Sequence, residues 1–198
     1  MKLIIYFVSL ILAGCAAPSK KASSLSLFDG TSKLTSEKAA KELEREEMHF
    51  SKYKVGAMPF TEAYIRAQET EKGKKRQDTQ EQIDANIKSG VKAFAGNDTC
   101  FSIWFSTMSI HTAKIEKWSA KIEDSFGNLH SLKFYNVAKN TGAHSVPTYS
   151  SGDLQGFSWY NSSTACGPKI DMTKPFKLHV VPEFDQTFPN STLAWDIK

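Results

Sequence analysis

"TCFSIWFSTMSI", Thr99 to Ile110, places Phe101, Ile103 and Phe105 at every second position of a β-branched and aromatic run. Alternation of that kind puts one set of side chains on a single face of an extended strand. The run opens directly after the Gly96-Asn97-Asp98 breaker, and the texture of the chain changes there. Downstream, "KWSAKIED" from Lys117 sets Trp118, Ala120 and Ile122 against Lys117, Ser119, Lys121 and Glu123. "DSFGN" (124–128) reads as a turn, and "LHSLKFYN" from Leu129 returns with Leu132 and Phe134 on one side. A β-hairpin follows from that pairing.

Three further strands are expected at Phe157–Tyr160, Phe176–Val181 and Leu193–Ile197, the last two alternating cleanly. Short strands divided by Gly, Pro, Asn and Ser clusters argue for an antiparallel β-sandwich over 97–198. Cys100, Trp118 and Cys166 suggest the immunoglobulin arrangement of a bridge with a packed tryptophan. Thr164 stands where that arrangement puts its corner tyrosine. The fold class expected is therefore mainly β, an immunoglobulin-like sandwich with an N-terminal helical segment (α+β).

That segment is 35–96. Thr35 is placed to cap a helix running to Tyr53, with Glu37 in its first turn and no Gly or Pro inside. Val55-Gly56-Ala57-Met58-Pro59 breaks it, a second helix covers Phe60 to Thr70, and a third begins near Asp78. Ile83, Ile87, Val91 and Phe94 continue the third stripe, with Gly90 a possible early stop. These stripes are too sparse for a core of their own, so the helices must pack on something else.

The first residues follow another logic. Met1-Lys2 precedes an apolar run, Leu3 to Leu12, which is shorter than the roughly 20 residues a membrane span needs. A basic start, a short apolar core and small residues at its end form a secretory signal. A buried N-terminal helix or strand fits less well, because "APSKKASS" follows at once. Leu12-Ala13-Gly14-Cys15 resembles the lipobox of bacterial lipoproteins. The resemblance covers only the first fifteen to twenty residues. It implies removal of residues 1–14, a diacylglyceryl group on the Cys15 sulfur and an acylated amino terminus. Ala16, where Asp would favour inner-membrane retention, implies an outer-membrane lipoprotein. Residues 15–34, rich in Ser, Ala and Lys, then read as a lipidated tether with its ends about 20–25 Å apart. Leu25, Leu27 and Phe28 offer a short edge strand within it.

Once Cys15 carries lipid, Cys100 and Cys166 remain as an even pair in an oxidising compartment, where bridges persist. Two buried free thiols are the alternative. The formal charge of +4 does not call for nucleic acid. His49, His111, His130, His144 and His179 stand singly, without the spacing that sets two metal ligands on one helix face. The basic run "KGKKRQ" from Lys72 is flanked by Glu69, Glu71, Asp78 and Glu81 and reads as a solvated turn between helices. In "GFSWYNSS", Phe157 and Trp159 share a strand face and are assigned to the core. Tyr160, with Tyr149, is left as a candidate binding surface. No metal, cofactor or catalytic residue is assigned. The expected function is non-enzymatic: a lipid-anchored envelope protein binding or scaffolding an envelope protein or wall polymer. The rival is an envelope hydrolase whose site converges from separate strands, for instance His130 or His179 with Asp171.

Overall fold

The structure is a computed structural model that describes residues 22–49, 53–135, 144–148 and 156–198. Cys15 and Tyr149 lie outside them. Ten strands among the described residues join one sheet: β1 (Ala22–Ser23), β2 (Arg45–His49), β3 (Tyr53–Pro59), β4 (Asp98–Thr107), β5 (Trp118–Glu123), β6 (Leu129–Phe134), β7 (His144–Thr148), β8 (Gly156–Pro168), β9 (Phe176–Pro182) and β10 (Ser191–Ile197). Their order is β1-β10-β9-β5-β6-β8-β4-β3-β2, with β7 added beside the first half of β8. β1 pairs parallel with β10 and the other described pairs are antiparallel, so the sheet is mixed. Three helices, α1 (Ser36–Leu43), α2 (Glu62–Arg76) and α3 (Gln80–Val91), follow the first turn of chain or link β3 to β4.

The protein is thus α+β and mainly β, as expected. The immunoglobulin-like sandwich is corrected to a single curled sheet. Cys100 and Cys166 face each other on neighbouring strands β4 and β8 and are joined as a disulfide. An immunoglobulin bridge instead crosses between two sheets. Alternation from the buried Phe101 sends the bridge to the outer face, whereas Trp118 lies inside on Phe105, 4.5 Å between ring centroids. The sheet separates the two features that the analogy had joined.

Curling lets the sheet bury its inner face against itself. Phe176 stacks on Trp195 at 5.0 Å, Phe101 meets Trp195 at 5.7 Å, and Tyr53 meets Trp118 edge-on at 5.0 Å. Val55, Ile103, Ile122, Leu178 and Val180 fill between these rings. A second, smaller core lies on the outer face, where Leu27, Ala39, Leu43, Met58, Tyr64 and Ile65 pack together. This is the partner that the sparse helical stripes required.

Two local expectations change. The helix capped by Thr35, whose hydroxyl accepts from Lys38 N, ends at Leu43 instead of reaching Tyr53. Residues 45–49 and 53–59 are the β2–β3 hairpin, and the stretch read as a breaker is a largely buried strand. Gly56 sits there because the Trp104 ring crosses it from β4: a Cβ at this position would lie 2.2 Å from the indole. The second change is in the expected tether. From Ala22 the chain belongs to the folded body: β1 pairs with β10, Leu25 N donates to Lys198 O at 2.9 Å, and Leu27 is fully buried. In the helices, α2 runs on to Arg76 past the expected end at Thr70, and the third helix is capped by Thr79 in a box with Gln82. Gly90 does not stop α3, which passes into a wider turn over Lys92–Gly96.

Candidate functional site

The two ends of the strand order meet. β2 closes against β10 without a backbone ladder, through side chains that alternate along β2. Arg45 Nε donates to Ala194 O at 3.0 Å, Glu47 Oε2 accepts from Thr192 N at 2.7 Å, and His49 Nε2 lies 3.0 Å from Ser191 Oγ. Arg45 also donates to Ser23 Oγ at 2.6 Å, Glu42 O at 2.8 Å and Glu44 O at 2.7 Å, while Trp195 Nε1 donates to Leu43 O at 2.6 Å. The same seam therefore satisfies carbonyls at the end of α1. Burial pulls the Arg45 guanidinium below its ordinary pKa, and Asp196 opposes that shift. Below the seam the Tyr53 hydroxyl donates to Pro189 O, and burial pushes its pKa up to about 12.

Glu47, His49 and Ser191 bring together a carboxylate, an imidazole and a hydroxyl, the groups of a nucleophilic relay. A relay uses opposite ring nitrogens for the base and its orienting acid. In this cluster a single nitrogen, Nε2, faces both Ser191 Oγ at 3.0 Å and Glu47 Oε1 at 3.7 Å. Ser191 has no exposed surface, and its Oγ donates to Tyr53 Oη at 3.4 Å. The cluster's geometry is that of a structural seam. Arg45, Glu47 and His49 carry a period-two signal in the sequence, within a stretch whose lack of Gly and Pro also reads as helix.

The histidines named for a hydrolytic site do not meet Asp171. His130 Nε2 lies 3.2 Å from Asp124 Oδ2, and His179 Nε2 lies 2.7 Å from Glu123 Oε2. Lys177 joins Glu123 from the other side at 2.8 Å. The Glu123 carboxyl is held below the usual range by Lys177 first and His179 second. Asp171 instead binds Thr173 N and Oγ1 in its own turn, with Lys174 Nζ at 3.6 Å. No group of His, Cys, Asp and Glu among the described residues is placed to hold a metal ion. The basic run is the last turn of α2, where Lys72 pairs with Glu69 and Arg76 with Asp78, each at 2.8 Å.

Tyr160 lies on β8 opposite Ser106 of β4, on the outer face of the sheet, and is 36% exposed. Alternation puts Trp104 and Ser106 of β4, and Ser162 of β8, on that same face. Lys54 and Glu46 border it as an ion pair at 2.7 Å, and Trp104 Nε1 donates to Glu46 Oε1 at 3.3 Å. The result is a strip of two aromatic side chains and hydroxyls beside the helical cover. Trp159 pairs with the inward-facing Thr107 but is only half-buried and belongs to neither core cluster. The Phe157 side chain lies outside the described residues.

Fold and site together define an α+β protein whose curled mixed sheet is closed by a side-chain seam and bears helices on part of its outer face. No protein-family profile matches the chain, and no curated protein does. Two solved structures are similar to it at low identity. A protein of unknown function from Burkholderia pseudomallei is 11% identical, with 82% of this chain and 90% of that one covered, at a TM-score of 0.40. A DUF4426 family protein from Pseudomonas aeruginosa is 10% identical, with 75% and 90% covered, at a TM-score of 0.27.

Proposed function

We propose that this chain is a bacterial outer-membrane lipoprotein, anchored by acyl chains on Cys15, that presents a non-enzymatic binding or scaffolding surface to an envelope protein or wall polymer. The observation that carries the reading is the Cys100–Cys166 disulfide. It belongs to an oxidising compartment. It also leaves Cys15 as the unspent cysteine of three, at the end of a signal-like run in a lipobox-like setting. Two or more acyl chains hold a protein on a bilayer stably, at about 0.8 kcal/mol per buried methylene, whereas one holds it only marginally. The strip around Tyr160 is the surface assigned to the partner, since an exposed ring among hydroxyls gives rigid contact area with polar edges.

Cys15→Ala tests the anchor. The wild type incorporates labelled palmitate and sediments with membranes; the variant does neither. Labelling that persists in the variant overturns the lipoprotein reading. A photo-crosslinking residue at Tyr160 in intact envelopes tests the surface, with one at the exposed Lys38 of α1 as control. Equal adducts at both positions, or self-adducts alone, count against it.

A further inference from the structure

We propose that the turn of the β5–β6 hairpin, with Phe126 at its tip and Leu129 at its base, is a membrane-contact element that seats this end of the protein on the bilayer. The inference rests on the lipoprotein reading of Cys15 and specifies which end of the fold faces the lipid.

Phe126 is 81% exposed and Leu129 59%, the two highest values among the described large apolar residues. The turn that carries them is tied by side-chain hydrogen bonds. Asp124 Oδ1 accepts from Phe126 N and Asn128 N, each at 2.9 Å, and Oδ2 accepts from Asn128 Nδ2 at 3.0 Å. Gly127 supplies the positive φ of 85° that closes the turn. A bulky ring held out into solvent on a fixed turn gains from an apolar phase and has little conformational freedom left to lose there. Lys174 Nζ stands 5.5 Å from the Phe126 ring centroid. A long cationic side chain beside an apolar tip suits the headgroup boundary, with the ammonium among phosphates and the ring below. The nearby carboxylates are engaged: Asp124 as above, Asp171 by Thr173 and Lys174, and Glu123, opposite Leu129, by Lys177 and His179.

The place where the chain joins the fold keeps this end within reach of the anchor. Ala22 pairs with Asp196, one residue beyond the Trp195–Phe176 pair, and β9 pairs with β5 up to Lys177–Glu123. Following that ladder, Ala22 lies three strand spacings from the start of the turn, about 14 Å. Six residues separate Cys15 from Ala22, so the link extends to about 25 Å at most. An anchor on so short a link keeps Phe126 and Leu129 within reach of the acyl chains. The competing apolar pair, Met108 and Ile110, follows the far end of β4. That end runs through Thr107–Tyr53–His49 to Ser191, five residues or about 17 Å up β10 from Asp196 and also within the link's reach, so the greater exposure of Phe126 and Leu129 decides between the two ends.

The test uses the full acylated protein in vesicles of phosphatidylethanolamine and phosphatidylglycerol. A nitroxide is placed at Phe126→Cys in one sample and at Ile110→Cys in another, both exposed positions. The label at 126 is expected to become accessible to oxygen and protected from an aqueous nickel chelate, at least threefold in their ratio relative to the protein in detergent-free buffer with the anchor removed. The label at 110 stays aqueous. An aqueous label at 126 on fully acylated protein overturns the membrane-contact proposal and leaves the anchor standing, as does a lipid-exposed label at 110. The intact mass of the same sample separates the two readings: protein without acyl chains refutes the lipoprotein assignment itself, and the membrane seat falls with it.

Discussion

Arg45 donates to Ala194 O on β10, to Ser23 Oγ on β1 and to Glu42 O and Glu44 O at the end of α1, and its guanidinium lies 5.7 Å from the Trp195 ring centroid. A planar fork is needed to serve acceptors spread around it, and a point charge on a flexible stem does not reproduce that. Truncation leaves half-buried carbonyls without a donor, which is costlier than losing the bonds alone. Arg45→Ala is expected to destabilise the fold by about 2–3 kcal/mol, read as a lower urea midpoint. Arg45→Lys should recover less than half of the loss. A midpoint unchanged in Arg45→Ala would show that the seam closes without it.

At the scale of elements, α1 shows why a helix stops where its sequence does not announce a stop. No Gly or Pro separates Thr35 from Tyr53, and both cap and helix start were legible from Thr35. Past Leu43 the residues that matter are Arg45, Glu47 and His49, whose partners sit on β10. Their pairing outweighs local helix preference, as tertiary context does for strands. β8 hides for a related reason. Only 157–160 read as strand, because the polar residues beyond, Asn161 and Ser163, are buried yet bonded to Ala113 O and Tyr135 O. The cap and Glu71 also fix how α1 docks on α2. Glu71 accepts from Ser36 N at 2.8 Å and from the Ser36 hydroxyl. The Ser36 hydroxyl, then its backbone N–H, holds the Glu71 carboxyl below its ordinary value of 4.5. A carboxylate depressed in the folded state stabilises above its unfolded pKa, and that contribution is lost as pH falls below about 4.5 through the folded value. Glu71→Gln is expected to shrink the loss of stability between pH 5 and about 3, measured by urea unfolding at each pH. Asp29, Glu123, Asp124 and Asp171 are shifted the same way, so part of the acid sensitivity remains.

For the whole molecule, the disulfide and the seam act on the same closed sheet from different places. The Cys100–Cys166 bridge closes 66 residues of sequence, including β5, β6 and β7. Restricting the unfolded chain by a loop of that length contributes about 4 kcal/mol in the chain-entropy account. A Cys100→Ala/Cys166→Ala double variant should unfold at lower urea by a comparable free energy, and reductant should shift the wild type alone. A midpoint insensitive to both would place the stability elsewhere.

Patterns within ten or so residues determined β4, β5, β6, β9, β10 and the first residues of β8, the Thr35 cap and the β5–β6 hairpin, because alternation and capping are local physics. The tertiary structure alone decided that the strands form one curled mixed sheet and that 45–49 and 53–59 pair as a hairpin and are not helix, and it bore out the Cys100–Cys166 bridge. It also decided which residues close the seam. Arg45 and Ala194 are 149 positions apart, and no local periodicity encodes a contact whose partners meet only when the sheet curls far enough to bury its own inner face.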